Sequence, residues 1–380
     1  MSDADVQTAI GWRQRLHAHP ELLFDLPKTS AFVADRLEEF ELDSVVRGIG
    51  GCGVVGVLHG LKPGGVTGLR ADMDALPIQE QTGLRHASVT SGRMHACGHD
   101  GHMAMLLLAA RRLSRTRDFS GVVVFIFQPA EENGGAGARA MLRDGLLERF
   151  AIEEVFGLHC MPNYSEGRFS TRSGGIMAAA DSLRITVTGV GGHAARPETC
   201  VDPLLVASHI HIALQTIVAR NIDPLASAVI SITRVAASEN EDTIAPTASM
   251  SGTVRTIDES VRDFCEHRIH NIAAGVAKSF GATAKVEYIR DYPVTVNHPA
   301  AVARATKAAA RVSQVNADTP PLMVSEDFSF MLRERPGAFM FLGQGPGPGL
   351  HSSMFDFNDR ILMIGADYWI SLVRGDASHR

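Results

Sequence analysis

Apolar residues along this chain form several short, nearly continuous runs of the kind found in buried β-strands. The clearest runs are CGVVGVL (52–58), GVVVFIF (121–127), EEVFGLH (153–159) and AFMFLG (338–343). Strands that are apolar on both faces belong to sheets covered by helices, and such sheets are typically parallel. Helical patterns at 29–40 and 102–114 lie between these runs. The sequence therefore predicts an α/β fold with a mostly parallel sheet covered by helices.

The middle of the chain follows a different pattern. In SLRITVT (182–188), apolar and polar residues alternate, as in a strand with one face in water. Asp202 followed by Pro203 predicts the start of a helix. The elements that follow are two strands near 227–235 and 248–256, a helix over 259–280 and a strand near 284–290. This β-α-β-β-α-β order is that of a ferredoxin-like fold.

The length of 380 residues suggests two domains. We expect residues 180–293 to form a small domain that is inserted into a larger domain of residues 1–179 and 294–380. The formal net charge of −6 argues against a nucleic-acid-binding protein. No apolar run approaches the roughly 20 residues needed to span a membrane. The cysteines are an odd number, five, and widely spaced, which is typical of a reduced, cytoplasmic protein.

Polar side chains follow the predicted strands at the points where the strands end. They are Asp72 and Asp74, Glu131 and Glu132, His159 and His351. The cluster HACGHDGH at 95–102, with Cys97, His99, Asp100 and His102, instead precedes a helix whose apolar face would pack on the same sheet. In open α/β sheets, binding sites form beyond the carboxyl ends of the strands. We therefore expect these side chains to meet at one edge of the sheet.

Each of these residues also has a purely structural interpretation. A cysteine beside a helix start is usually a small buried hydrophobic residue, and adjacent glutamates are commonly a solvated helix face. His159 could be a core histidine, and His351 could be a surface histidine. Together, however, the candidates favour a metal centre over these separate explanations. Asp72, Asp74, Asp100 and His102 are expected to orient ligands rather than to bind metal.

A mixed set of thiolate, imidazole and carboxylate suits zinc, manganese, cobalt or nickel. Five candidate ligands exceed what one tetrahedral site needs, so two divalent ions with a shared water are expected. Hydrolysis also needs a base beside that water. Glu131 is the natural candidate, because Glu132 can bind metal while its neighbour remains available.

Ordered motifs spread over almost the whole chain resemble those of a known enzyme family. They are RLHAHPEL (15–22), LRADMDALP (69–77), MHACGHDGH (94–102), FQPAEE (127–132), FGLH (156–159), GGHAARP (191–197), DPL (202–204), GTVRT (252–256), SEDFS (325–329) and HSSMFDFND (351–359). The family is that of dinuclear metallo-amidohydrolases, which includes hippurate hydrolase, N-acyl-amino-acid amidohydrolases and auxin-conjugate hydrolases.

The resemblance implies roles for individual residues. The implied metal ligands are Cys97, His99, Glu132, His159 and His351, and Glu131 is the implied general base and later proton donor. The implied fold of the larger domain is a metallopeptidase-like sheet covered by helices, and the small domain is implied to be a lid and dimerisation domain. Its His193 would reach a substrate oxygen, in the active site of the partner subunit of a homodimer. Arg255 would meet a substrate carboxylate, although as an exposed strand residue it could equally be an ordinary surface charge.

Three positions depart from the family pattern. Asp242 and Cys160 stand where asparagine is common, and Ser353 stands where proline is common. None of these changes removes an implied ligand or the base, but each could alter specificity.

These observations predict hydrolysis of the amide bond in N-acyl amino acids. A dipeptidase or carboxypeptidase on the same scaffold is the nearer alternative, because peptide bonds need the same chemistry. A non-catalytic metal-binding or regulatory protein is the more distant one. Such a protein would be expected to lack a metal ligand or the general base, whereas this chain has all five implied ligands and the implied base.

Overall fold

The computed structural model describes residues 3–375 of the chain. The described helices are α1 (Asp3–Ala18), α2 (Pro27–Glu39), α3 (His99–Thr116), α4 (Gly137–Arg143), α5 (Leu146–Arg149), α6 (Pro203–Thr216), α7 (Glu259–Ser279), α8 (Pro299–Ala310), α9 (Ser329–Glu334) and α10 (Leu362–Arg374). None of these helices is both long enough and apolar enough to cross a membrane.

The described strands run in chain order from β1 to β16. They are β1 (Ser44–Ile49), β2 (Gly53–His59), β3 (Lys62–Asp72), β4 (Ser120–Gln128), β5 (Glu154–Met161), β6 (Phe169–Ser170), β7 (Gly174–Met177), β8 (Ala179–Thr188), β9 (Gly192–His193), β10 (Ala228–Ala236), β11 (Thr243–Ile244), β12 (Thr247–Thr256), β13 (Thr283–Tyr292), β14 (Thr295–Asn297), β15 (Val315–Asn316) and β16 (Gly337–Gly343). The described chain divides into two compact units. The larger one comprises the residues up to Ile176, together with Thr295–Pro320 and the residues from Asp327 onwards, and the smaller one comprises Met177–Val294 and Pro321–Glu326.

The larger unit is built on an eight-stranded sheet in the order β1-β2-β4-β3-β5-β16-β6-β15. Its centre, β4-β3-β5-β16, is parallel throughout. All seven residues of β16 are buried, as the continuous apolar run predicts. The predicted α/β fold with a mostly parallel sheet is therefore confirmed. The run at 52–58 differs in detail, because β2 pairs antiparallel with both of its neighbours.

Helix α3 packs on this sheet. Its residues from Met103 to Ala110 are all buried, and they share one hydrophobic core with β3 and β4. The helix begins at His99, a few residues earlier than the apolar pattern alone predicts. Gly98, with φ of +87°, turns the chain into the helix. The first turn of α3 therefore carries His99, Asp100 and His102 on a rigid element.

The smaller unit contains a four-stranded antiparallel sheet in the order β10-β12-β8-β13. Helices α6 and α7 bury their apolar residues against it in a second hydrophobic core. Along the chain, the main elements follow the β-α-β-β-α-β order of a ferredoxin-like fold. Helix α6 starts as its sequence predicts, because the Asp202 side chain accepts hydrogen bonds from the backbone amides of Leu204 and Leu205.

Candidate metal centre

The parallel strands of the larger unit bring the predicted polar residues together at one edge of the sheet. Strands β3 and β4 end in register, with Asp72 beside Gln128. His159 lies near the end of β5, opposite Phe341 of β16. The carboxyl ends of parallel strands share an edge, and the first turn of α3 reaches the same place. The described residues include three overlapping groups of close ligand atoms there. They are Asp72, His99, His102 and His159; Cys97, Glu132 and His351; and His99, Glu131 and Glu132.

His99 directs one ring nitrogen into this cluster. Its Nδ1 donates a hydrogen bond to the backbone carbonyl of Asp74 at 2.7 Å, so Nε2 faces away from that carbonyl. Nε2 is buried and has no hydrogen-bond partner among the described residues. Burial disfavours a charge on this ring, but neighbouring carboxylates, those of Asp72 and Asp74 above all, raise the pKa of His99 to about 10. The position is therefore one that strongly favours positive charge.

His159 is oriented in the same way from the other side. Its Nδ1 lies 2.7 Å from the backbone carbonyl of Cys160, which can only accept, so Nδ1 carries the proton. Nε2 then presents a lone pair and lies 3.4 Å from the Cys97 Sγ. Burial, together with the nearby His102, holds the pKa of His159 well below its ordinary value. This ring is therefore neutral, as a metal ligand must be.

Glu132 connects the remaining candidates. Its Oε1 lies 3.3 Å from the Nε2 of His351 and 3.9 Å from the Nε2 of His99. The same oxygen is buried without a hydrogen-bond partner among the described residues. His351 comes from a loop rather than from a helix or strand, with φ of +63° and a backbone amide that donates to the carbonyl of Ala96. These separations fit ligands of a shared ion, because bonds of about 2.1 Å in a tetrahedral site place ligand atoms about 3.4 Å apart.

Cys97 has the opposite electrostatic preference from His99. Burial and the carboxylates of Glu132 and Glu131 raise the pKa of its thiol well above the ordinary value. A thiolate at this position therefore needs a cation beside it. Two orphaned buried atoms, a mixed thiol, imidazole and carboxylate set and a strongly negative local field all fit divalent transition-metal ions.

Asp74 holds the segment that carries the two glutamates. Its carboxylate accepts hydrogen bonds from the backbone amides of Glu131 at 3.0 Å and of Glu132 at 3.1 Å. The segment is tightly bent, with left-handed backbone at Ala130 (φ 51°) and Asn133 (φ 54°). Non-glycine residues in that region store strain that the surrounding contacts must offset. Asp74 therefore fixes the backbone positions of Glu131 and Glu132.

Two carboxylates beside the cluster have partners that were not expected. Asp327 bridges both ends of the bent segment, because it accepts hydrogen bonds from the Gln128 side chain at 2.8 Å and from the Ala138 amide at 2.9 Å. Arg70 lies between Asp72 at 2.8 Å and Asp327 at 3.1 Å. The motifs LRADMDALP and SEDFS contain these residues, but nothing in the sequence pairs them.

The structure separates two members of HACGHDGH that the sequence treats alike. His102 uses both ring nitrogens, because Nδ1 donates to Asp72 at 2.7 Å and Nε2 accepts from the Cys160 amide at 3.0 Å. It has no lone pair left for a metal and holds Asp72 in place. Asp100 instead pairs with the Nδ1 of His17 at 2.8 Å. Among the described contacts it has no hydrogen bond to a predicted ligand.

His193 and Arg255 belong to the smaller unit. His193 is exposed at the end of β9, and its Nδ1 accepts a hydrogen bond from the Ala195 amide at 3.1 Å. Arg255 lies in β12 and is half-buried rather than exposed, so the expectation of an exposed strand residue is wrong. Burial lowers the pKa of its guanidinium. The actions of both residues on a substrate remain predictions.

The fold is that of solved M20 peptidase structures. The chain belongs to peptidase family M20/M25/M40, whose sequence model matches residues 68–375. The resemblance to the family of hippurate hydrolase is thereby confirmed, and the protein is a hydrolase.

Individual relatives cover nearly the whole chain. The hippurate hydrolase of Campylobacter jejuni subsp. jejuni is 42% identical over 363 residues, which are 95% of this chain and 94% of that protein. Thermostable carboxypeptidase 1 of Saccharolobus solfataricus is 39% identical over 375 residues, with the same two shares. The crystal structure of Bacillus subtilis YXEP, described as a dinuclear metal-binding peptidase of the M20 family, has a TM-score of 0.87 and 34% identity and covers 98% of each chain.

Proposed function

We propose that this hydrolase cleaves the amide bond of N-acyl amino acids and releases a carboxylic acid and a free amino acid. The observation that supports the proposal is the clamp of Asp74 on the backbone amides of Glu131 and Glu132, because both glutamates lie in one group of close ligand atoms with His99. The 42% identity to a hippurate hydrolase, named for an N-acyl amino acid, supports this substrate class.

The residues proposed to hold two divalent ions per subunit are Cys97, His99, Glu132, His159 and His351. Zinc, manganese, nickel and cobalt all suit this donor set. When bound, such ions polarise a carbonyl oxygen and lower the pKa of a coordinated water toward about 7. The donor set itself supports the proposal, because His99 and Glu132 each keep a buried atom without a hydrogen-bond partner among the described residues.

Glu131 is proposed to move the proton. Its carboxylate accepts a proton from the attacking water and returns it to the departing amine. The Asp74 clamp makes this possible, because it fixes the backbone of Glu131 and so limits where the carboxylate can go. A general base must lie within hydrogen-bond reach of the water it activates, and a loose segment could not guarantee that position.

Two residues of the smaller unit are proposed to bind substrate. His193 would donate a hydrogen bond to the scissile carbonyl oxygen, and Arg255 would pair with the substrate carboxylate. We further propose that the smaller unit acts as lid and dimerisation unit and that His193 serves the partner subunit. Light scattering tests this, since a monomeric active enzyme would contradict action across subunits.

A carboxypeptidase is the second candidate, favoured by the 39% identity to a thermostable carboxypeptidase. Metal-reconstituted enzyme assayed against N-acetyl amino acids, N-benzoyl amino acids and dipeptides separates the two functions. The proposal expects the highest kcat/KM on an N-acyl amino acid. Faster cleavage of dipeptides than of every N-acyl substrate would support the carboxypeptidase instead.

We propose that the enzyme works in the cytoplasm, on a small molecule and without a nucleic-acid or membrane partner. All five cysteines are free, including the buried Cys97 and Cys160. A reducing compartment keeps such thiols available as metal ligands.

A further inference from the structure

Helix α1 contains a buried arginine whose acidic partners lie far away in the sequence. The Arg13 side chain is 1% exposed. Its guanidinium binds Asp359 through two bonds, of 2.8 and 2.9 Å, and Asp356 through one bond of 2.9 Å. It also lies 3.8 Å from the carboxylate of Asp100. A two-pronged arginine–carboxylate contact fixes direction as well as distance.

These carboxylates flank two of the proposed metal ligands. Asp100 directly follows His99 in the first turn of α3, and Asp356 and Asp359 lie in the segment just after His351. His17, one turn after Arg13 on the same helix, donates from Nδ1 to Asp100 at 2.8 Å. One face of α1 therefore holds the His99 helix and the His351 segment at the same time.

The His351 segment has little regular structure of its own. Residues 344–358, all of them described, form neither helix nor strand. The His351 side chain is 52% exposed and its backbone has φ of +63°, a conformation that other contacts must impose. The contacts of Asp356 and Asp359 with Arg13 and the burial of Phe355 and Phe357 anchor the segment. By contrast, His99 and His159 sit on a helix and a strand that are packed into the hydrophobic core of the larger unit.

We propose that Arg13 is a positioning residue of the metal centre, which holds the segment carrying His351 against His99 and Glu132. The inference rests on the proposed function, because it presumes that these residues bind metal. The inference predicts that the two ions respond differently to a change at Arg13. Loss of the Arg13 contacts weakens the binding of the ion that depends on His351 and leaves the rest of the donor set in place.

The test is zinc binding by the full-length protein, measured by competition with a chromophoric chelator and by metal content per chain. The variants are Arg13→Met, Arg13→Lys and Asp359→Asn, the last of which removes the two-pronged contact while keeping the buried arginine. Arg262→Met is the matched control, because Arg262 is as buried as Arg13 and forms a two-pronged contact with Asp181 in the smaller unit. Any loss that follows from general destabilisation should appear in this control too.

We expect Arg13→Met to weaken one of two zinc ions about 10- to 100-fold, the usual effect of losing a group that orients metal ligands. Asp359→Asn should act in the same direction, Arg13→Lys should recover part of the affinity, and Arg262→Met should bind zinc as the wild type does. Should Arg13→Met fail to fold, Asp359→Asn carries the test.

Two results would overturn the inference alone. One is wild-type zinc affinity in both Arg13→Met and Asp359→Asn, and the other is an equal loss in Arg262→Met. A wild-type protein that binds no zinc would instead overturn the proposed function, and this inference with it.

Discussion

A charged histidine near the proposed metal centre gives the larger unit a stability that depends on pH. The His17 side chain is fully buried, with Asp100 at 2.8 Å and Glu80 at 3.4 Å. Burial alone would lower the pKa of His17, but the two carboxylates outweigh it and raise this pKa to about 9. The folded protein therefore holds this proton more tightly than the unfolded chain, in which a histidine has a pKa of about 6.5.

The sign and size of the effect follow from these two values. Stabilisation by the charged ring is fully present below pH 6.5 and is lost as the pH rises toward about 9. A difference of roughly 2.5 pKa units corresponds to about 3 kcal/mol. Asp100 and Glu80 do not titrate between pH 6.5 and 9, because their pKa values are lowered far below this range.

Urea unfolding of wild type and His17→Gln at pH 6.5 and 9.5 measures this effect, with chelator present so that metal binding does not contribute. Both tryptophans, Trp12 and Trp369, lie in the larger unit, so their fluorescence reports its unfolding. The stability advantage of wild type over the variant should shrink by about 3 kcal/mol between the two pH values. Parallel stability profiles of the two proteins across this range would refute the reasoning.

Two further substitutions, the second with a matched control, test the proposed metal centre. Asp74→Asn leaves the amide of Glu131 or Glu132 facing a donor instead of an acceptor, so the free energy of unfolding should fall by about 1–3 kcal/mol and kcat should fall too. Urea unfolding measures the loss of stability and steady-state kinetics the loss of kcat. An unchanged kcat would contradict the proposal that Asp74 positions Glu131 for catalysis. Cys97→Ala should lose at least one metal ion per chain by elemental analysis, whereas Cys160→Ala, a neighbouring buried thiol, should keep both.

The fold and the meeting of the proposed ligands could be predicted because both depend on local patterns. The run at 121–127 is apolar on both faces and becomes β4, and the polar residues after such strands must meet where parallel strands end. The start of α6 at Asp202 and Pro203 is equally local, since a cap needs only its own side chain and the next few amides.

The separation of Asp100 from the other members of its motif could not be predicted without knowing where α3 begins. Successive helical residues point about 100° apart, whereas residues three apart share a face. His99 and His102 therefore lie together, with ring centroids 5.5 Å apart, while Asp100 turns toward His17.

The supporting ion pairs left no signal in the sequence at all. Arg13 and Asp359 are separated by 346 positions, and Arg70 and Asp327 by 257. Each residue alone reads as an ordinary surface charge. Only the packing of the larger unit shows that these charges are buried and paired.

The most direct test of the account compares wild type with Glu131→Gln for metal content and turnover of an N-acyl amino acid. Glu131 is proposed to move protons and not to hold metal, so both proteins should contain two divalent ions per chain. The kcat of the variant should fall at least about 10²- to 10⁴-fold, the usual contribution of a general base. A Glu131→Gln enzyme with two metal ions and wild-type turnover would contradict the account.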